Sequence, residues 1–357
     1  MTDSTGHLPG IEASQLPTSR LSTHVLYSGP QHGEPVLFLH GNLSSSTFWE
    51  EAMLALPDRF RAIAPDLRGY GLSDSSVCID ATRGVADWSD DAIALADELG
   101  CDRFHLVAHS LGGSAAWALL GAHSSRIASA TLVAPGPPCG FGGTCGATGQ
   151  LNHPDGAGSG AGLIHPTLVQ RLETGERSIS DELFSPRAVM NRLYWKPPFR
   201  PAREEHLLTA MLQVHLGESR YPGNWHPSLH WPGFAPGDRG PINALAPLYN
   251  RWALPQLLEA PNKPRLLWIY GEDDPIIRDE SMSDVGFQGK RGLRSNWPGE
   301  EVFPPQPLLS QVKHALEQYE LTGGMVARLT IPDVGHTPYL EQPAKFYSAL
   351  IQHLESD

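Results

Sequence analysis

No run of about 18 apolar residues occurs in this 357-residue chain, which argues against a membrane span. Cations are scarce: 26 Lys and Arg stand against 39 Asp and Glu, for a formal net charge of −13. Such a surface repels phosphate backbones and anionic lipid, so neither nucleic acid nor a membrane is expected as a partner. The amino terminus, residues 1–20, lacks an apolar stretch behind a basic start, so no secretory signal is read and the cytoplasm is the expected address. There are only four cysteines, Cys78, Cys101, Cys139 and Cys145, and their spacing fits no metal site. Cys139 and Cys145 are near enough in sequence to pair, but without an export signal free thiols are expected.

Two patterns fall short of a cofactor or metal site. Gly156-x-Gly158-x-x-Ala161 loosely follows a dinucleotide-binding pattern, but Asn152-His153-Pro154-Asp155 precedes it instead of a strand. A flexible loop is expected there. His226 and His230 have helical metal spacing, yet Pro227 and Pro232 oppose a helix and no Glu follows His226. They are read as surface or pocket-lining histidines. No cofactor and no metal are expected, and the sequence carries no signal for an oligomeric state.

What is present is a globular composition, 40% hydrophobic and 18% charged. At this length the chain forms either one large α/β domain or a domain with a sizeable insertion. Strand signals fall at Thr23–Tyr27, Pro35–Leu39, Arg61–Pro65, Phe104–Ala108 and Ala128–Ala134. Helical spacing at Ala86–Leu99, stopped by Gly100, and a small-residue helix at Ser110–Ala122 alternate with them. This alternation implies a parallel sheet covered on both faces. From residue 136 to 263 the strand rhythm is lost: a Gly-rich stretch, helices near Leu163–Leu172, Pro186–Tyr194 and Arg203–Leu216, then a segment dense in Pro, Gly and Trp. Strands return at Arg265–Tyr270 and Val326–Ile331, with helices at Leu308–Tyr319 and Gln342–Leu354. The expected organisation is a core of residues 1–135 and 264–357 interrupted by a mainly helical cap, 136–263.

Ala108-His109-Ser110-Leu111-Gly112-Gly113 runs from a buried strand into a helix with a serine at the joint. Such a turn strains the serine and lifts its hydroxyl above the sheet, and it needs small residues two before and two after. A serine hydroxyl is a weak nucleophile near neutral pH and requires a base. His336, in Gly335-His336-Thr337-Pro338 after the last strand, lies at the same sheet edge if the strands are parallel. A carboxylate must orient that base. Gly271-Glu272-Asp273-Asp274-Pro275 offers three, of which Asp274 is preferred because Pro275 rigidifies its loop. Acyl transfer also places negative charge on a carbonyl oxygen, for which two backbone N–H groups must wait. Leu111, at its helix start, and Asn42, in His40-Gly41-Asn42-Leu43 after a strand, are the candidates.

These segments, in the order nucleophile, acid, histidine, resemble the α/β-hydrolase family. His40-Gly41, Asp66-Leu67-Arg68-Gly69-Tyr70-Gly71-Leu72-Ser73, Ala108 to Gly113, Gly271 to Pro275 and Gly335-His336 carry the resemblance, over residues 20–135 and 264–357. It implies an eight-stranded, mostly parallel sheet with a cap inserted after the sixth strand. Asp66 and Arg68 are then structural members of a turn. Two departures stand out. Ala108 replaces a usual glycine, and the stretch from Asp274 to His336 is long, its extra part, about 283–305, expected to decorate the surface.

A serine at the joint argues against the related epoxide hydrolases and dehalogenases, which place an aspartate there. Attack on a carbonyl carbon remains. The cap is rich in aromatics, so an apolar substrate is expected, with His109, Trp195, Trp225, Trp231 and Trp252 as candidate substrate contacts. A carboxylic-ester hydrolase for a medium-sized apolar substrate is the favoured function. A lactonase, an amide, peptide or C–C bond hydrolase, and a non-catalytic ligand-binding protein of the same fold are the alternatives. Release of an amino-terminal residue would need an acidic group in the cap, for which Glu204 and Glu205 are candidates.

Overall fold

A computed structural model describes residues 6–179 and 183–356; the reading of the amino terminus rests partly on residues 1–5, outside the described residues. Eight strands form one sheet: β1 (Glu12–Pro17), β2 (Ser22–Ser28), β3 (Glu34–Leu39), β4 (Phe60–Pro65), β5 (Phe104–His109), β6 (Ile127–Val133), β7 (Arg265–Gly271) and β8 (Val326–Ile331). Their spatial order is β1-β2-β4-β3-β5-β6-β7-β8. The β1/β2 and β2/β4 pairs are antiparallel and the rest are parallel. This is the α/β-hydrolase architecture. The central strands are apolar runs because both faces are covered, and every residue of β5 is buried. β1 escaped the sequence reading because it is an exposed, polar edge strand whose pairing partner, not its composition, makes it extended. Its Pro17 sits at the strand end, where the missing N–H costs no ladder bond.

Helices α1 (Ala86–Glu98) and α2 (Leu111–Ala122) follow the expected ranges closely. After β6 come α3 (Pro166–Glu173), α4 (Pro186–Leu193), α5 (Glu204–Leu212) and α6 (Ala253–Glu259). Ser185 caps α4 and Pro186 opens it, and His165 with Pro166 does the same for α3. Helix α6 lies inside the expected 136–263 insertion but packs on α2. There, a methyl on Gly121 would sit 3.1 Å from Gln256 and Leu257 atoms. Short α7 (Val285–Lys290), then α8 (Leu308–Leu321) and α9 (Pro343–Glu355) complete the chain, α9 lying against β6 and β7. Among the described residues no helix is long and apolar enough to cross a membrane.

Two expectations are corrected. The Gly-rich stretch is not a flexible loop. Gly156 to Ala161 is buried, and a methyl on Gly158 would lie 2.4 Å from Phe303, one on Gly160 2.4 Å from Asn243, and one on Gly162 2.3 Å from Phe234. The glycines are holes into which rings and amides fit. The 283–305 segment is surface decoration only in its middle, residues 290–302, which is exposed or half-buried, whereas its ends enter the interior. Its Val285 and Phe303 form a second small apolar core with Phe234, and Trp231 donates to the Ser295 carbonyl at 3.0 Å. Gln306 bonds Gly142 N at 2.6 Å and Gly140 O at 3.0 Å. The four cysteines are free thiols, as expected, and burial pushes the Cys139 thiol up to about 12.

Candidate active site

Parallel strands place their C-terminal ends at one sheet edge. The register pairs Leu39 with Ala108, His109 with Val133, and Gly271 with Ile331. The loops that follow carry Asn42, Ser110, Asp274 and His336, so the four candidate residues are brought to one edge by topology. Strain collects at the same edge. Of the five non-glycine residues with positive φ among the described residues, Leu43 (46°), Ser110 (53°), Ala134 (41°) and Asp333 (60°) each fall within a few residues of a strand end.

Ser110, with φ 53° and ψ −113°, stands between β5 and α2 in the strained joint its neighbours imply. A methyl on Gly112 would meet Leu39 O at 2.6 Å, and one on Gly113 would meet Pro135 at 2.6 Å, so both must be glycine for the helix to approach. Ala108 is fully buried, and its methyl is accommodated. As first residue of α2, Leu111 has an N–H that no intrahelical carbonyl can take.

Asp274 Oδ2 lies 2.7 Å from His336 Nδ1, and both residues are 2% exposed. The other carboxylate oxygen, Oδ1, accepts from Ile276 N at 2.7 Å and Ile277 N at 3.0 Å. Every acceptor direction needed to hold the imidazole is thus fixed. The two loops touch at Gly271, where a methyl would strike Gly335 O at 2.1 Å. Asp273 instead faces outward and pairs with Lys196 at 2.7 Å. Among the described residues the Ser110 hydroxyl makes no hydrogen bond in this conformation; such contacts often tighten only with substrate bound.

The sequence profile of the Alpha/beta hydrolase family matches residues 36–349. The chain belongs to this family. Carboxylesterase YbfK of Bacillus subtilis (strain 168) is 32% identical over 125 residues, 35% of this chain and 41% of that protein. The chain spans only 28–41% of the length of the first curated relatives it matches. Among solved structures, the esterase RhEst1 from Rhodococcus sp. ECU1013 superposes with a TM-score of 0.56 at 22% identity, covering 97% of this chain and 99% of that one. The 2-hydroxy-6-oxo-6-phenylhexa-2,4-dienoate hydrolase from Rhodococcus sp. strain RHA1 gives 0.59 at 16%, with coverages of 97% and 99%. At these identities the two structures speak to the fold alone.

In this α/β hydrolase, His109 is held within the fold, beneath the loop that carries His336. It is buried, its Nε2 donates to His336 O at 2.9 Å, and its Nδ1 accepts from Tyr339 OH at 3.3 Å. Burial, then the nearby His336, holds it well below the usual histidine range, so it stays neutral in that tautomer. His40 is likewise fully buried, bonding Gly41 O at 2.8 Å and Leu67 N at 2.9 Å. Asp66 accepts from Ser46 and Leu72 N, and Arg68 forks onto Asp91 at 2.6 and 2.8 Å, the structural roles expected of them.

The candidate tryptophans do not gather at the site. Trp195 is fully buried with its indole N–H on Asn191 Oδ1; only its backbone reaches the histidine loop, beside Gly335. Trp231 packs edge-on against Phe303, Trp252 donates to Tyr249 O, and Trp225 is 53% exposed on a small hairpin. No ring contact or hydrogen bond joins any of them to Ser110, Asp274 or His336 among the described residues. Glu204 pairs with Arg187 and Asn191 at 3.0 Å each, and Glu205 with Arg187 and Arg177, so both carboxylates already have cationic partners. The sequence reading missed Glu341, whose carboxylate accepts Gly335 N, and Tyr70, which donates to Asn42 Oδ1 at 2.8 Å. Neither has a spacing signal, because each acts through the folded loops.

Proposed function

We propose that the protein is a serine hydrolase that cleaves a carboxylic ester of a medium-sized apolar substrate through an acyl-enzyme on Ser110. The observation that carries this reading is the buried Asp274–His336 hydrogen bond of 2.7 Å beside a serine held at positive φ. Ser110 Oγ attacks the ester carbonyl carbon while His336 Nε2 takes its proton. Asp274 keeps Nδ1 protonated and steadies the imidazolium that forms. The carbonyl oxygen, now negative, is met by the N–H groups of Leu111 and Asn42. Collapse expels the alcohol, which takes its proton from His336; water, activated by the same imidazole, then releases the acid. Residues 136–252 act as the cap, with α6 belonging to the sheet layers. The commitment of Glu204 and Glu205 to arginines disfavours release of amino-terminal residues.

The test is labelling with a fluorophosphonate together with p-nitrophenyl esters of graded chain length and a lactone panel. Labelling at Ser110 and turnover with a chain-length optimum are expected. Folded protein that does not label points to the ligand-binding alternative, and faster lactone opening points to a lactonase.

A further inference from the structure

We propose that Tyr194, supplied by the inserted segment, is a positioning residue: its hydroxyl sets the backbone of residues 41–43 that receives the oxyanion. This rests on the serine-hydrolase reading above. Tyr194 follows α4, and its hydroxyl lies 2.8 Å from Asn42 O and 3.0 Å from Leu43 O. A single phenolic proton is shared between two carbonyls of a turn whose second residue, Leu43, is held at φ 46°. On the other side of the same residue, Tyr70 OH donates to the Asn42 side chain at 2.8 Å. Asn42 is therefore gripped by its side chain and its carbonyl, which leaves its N–H one direction. Tyr194 is itself buried, its ring 6.0 Å from that of Phe48.

The chain next to that hydroxyl grips the opposite half of the site. Tyr194 O accepts from Thr337 Oγ1 at 2.7 Å, and Lys196 N donates to Glu341 Oε2 at 2.8 Å. The same Glu341 carboxylate accepts Gly335 N at 2.9 and 3.0 Å. A methyl on Gly335 would lie 2.6 Å from Lys196 N. Three consecutive residues of the insertion thus hold both the oxyanion turn and the two neighbours of His336. The spacing between donor and base is set by this strap as well as by the sheet beneath it.

Tyr194→Phe keeps the ring and the carbonyl tie to Thr337 and removes only the hydroxyl. Deleting an oxyanion donor costs about 10²–10³-fold in kcat; here the donor remains but is loosened. A fall of about 10- to 100-fold in kcat is expected, with KM within about threefold. Affinity for an arylboronic acid, whose tetrahedral serine adduct uses the oxyanion donors, should fall by the same factor as kcat/KM. The control is Tyr319→Phe, which also removes a buried hydroxyl bond, to Pro264 O at 2.6 Å, but far from the site. It should lower the melting temperature and leave kcat and boronate affinity unchanged. An unchanged kcat in Tyr194→Phe, or a rise in KM alone, overturns the proposal. Should Tyr194→Phe not fold, Thr337→Val, which cuts the tie from the histidine side, must show the same split between kcat and KM. Wild-type protein that neither labels with a fluorophosphonate nor turns over esters overturns the hydrolase reading itself; equal labelling rates in wild type and Tyr194→Phe overturn this proposal alone.

Discussion

The sheet and a second unit, the irregular stretches 140–162, 225–243 and 283–306, fill their interiors by different means. In the sheet, apolar side chains from β3, β5, β6 and β7 meet the helices above and below, and stability follows the apolar area removed from solvent. In the second unit the chain is irregular, and space is saved by leaving side chains out: Gly158, Gly160 and Gly162 receive Phe303, Asn243 and Phe234. Backbone polar groups there are satisfied by buried amides, with Gln306 and Gln311 bonded to each other at 2.7 Å and to surrounding carbonyls. A sheet tolerates the loss of volume poorly; the second unit tolerates its gain poorly.

The sharpest separation between the two regions is chemical. Ser110→Ala, at the sheet edge, should remove about four to six orders of magnitude of turnover while the thermal midpoint stays nearly unchanged. Retention of the wild-type rate would remove Ser110 from the mechanism. Asp274→Asn should slow turnover by about 10⁴ through the wrong histidine tautomer, whereas Asp273→Asn, on the outward-facing neighbour, should change the rate less than about threefold. The reverse ranking would reassign the acid.

Stability then compares the regions directly. Leu132→Ala in β6 should cost about 3 kcal/mol by opening a cavity. Gly158→Ala should cost about 3 kcal/mol by adding one methyl, because φ is +79° and Phe303 occupies the space. Chemical denaturation measures both, and a neutral Gly158→Ala would restore the flexible-loop reading. A smaller effect concerns pH. Burial pushes the Asp284 carboxyl up to about 6. Its folded pKa therefore exceeds its unfolded value near 4, and the stability it contributes is present at low pH and lost as pH rises from about 4 through 6. Asp284→Asn, which keeps an acceptor for Phe287 N, should flatten that part of the pH–stability curve. An unaltered curve would show that the Asp284 carboxyl titrates alike in the folded and unfolded chain. The smallest expected effect is Trp225→Ser on the exposed hairpin, with turnover unchanged within about twofold; a large rise in KM would return that residue to the pocket.

The regions also differ in how much of them can be read from residue order. Strands β2 to β8 and most helices have apolar periodicity or capping residues, because their environment is a repeating one. The shared edge of the loops that carry Ser110, Asp274 and His336 was legible for the same reason: a parallel sheet fixes where its strand ends lie, and glycines at 112 and 271 mark where backbones must touch. β1 was not legible, since a neighbour's open edge makes it a strand. The Gly-rich stretch was misread because a glycine left empty and a glycine filled by a distant ring look identical in sequence. Tyr194 carries no signal in residue order, because what distinguishes it is a hydroxyl reaching two carbonyls about 150 positions away.

The strap at 194–196 bears on how such a molecule diversifies. Exchanging the whole insertion for that of another member is an obvious way to alter substrate range. Here a transplant would discard the bonds that tie residues 194–196 to Asn42, Leu43, Thr337 and Glu341, and on the proposal above slower turnover is the expected result. Grafts that retain Tyr194 to Lys196, with Glu341 and Thr337 as their docking partners, leave the remaining cap free to vary. New selectivity would then be sought in the segments on either side of that junction.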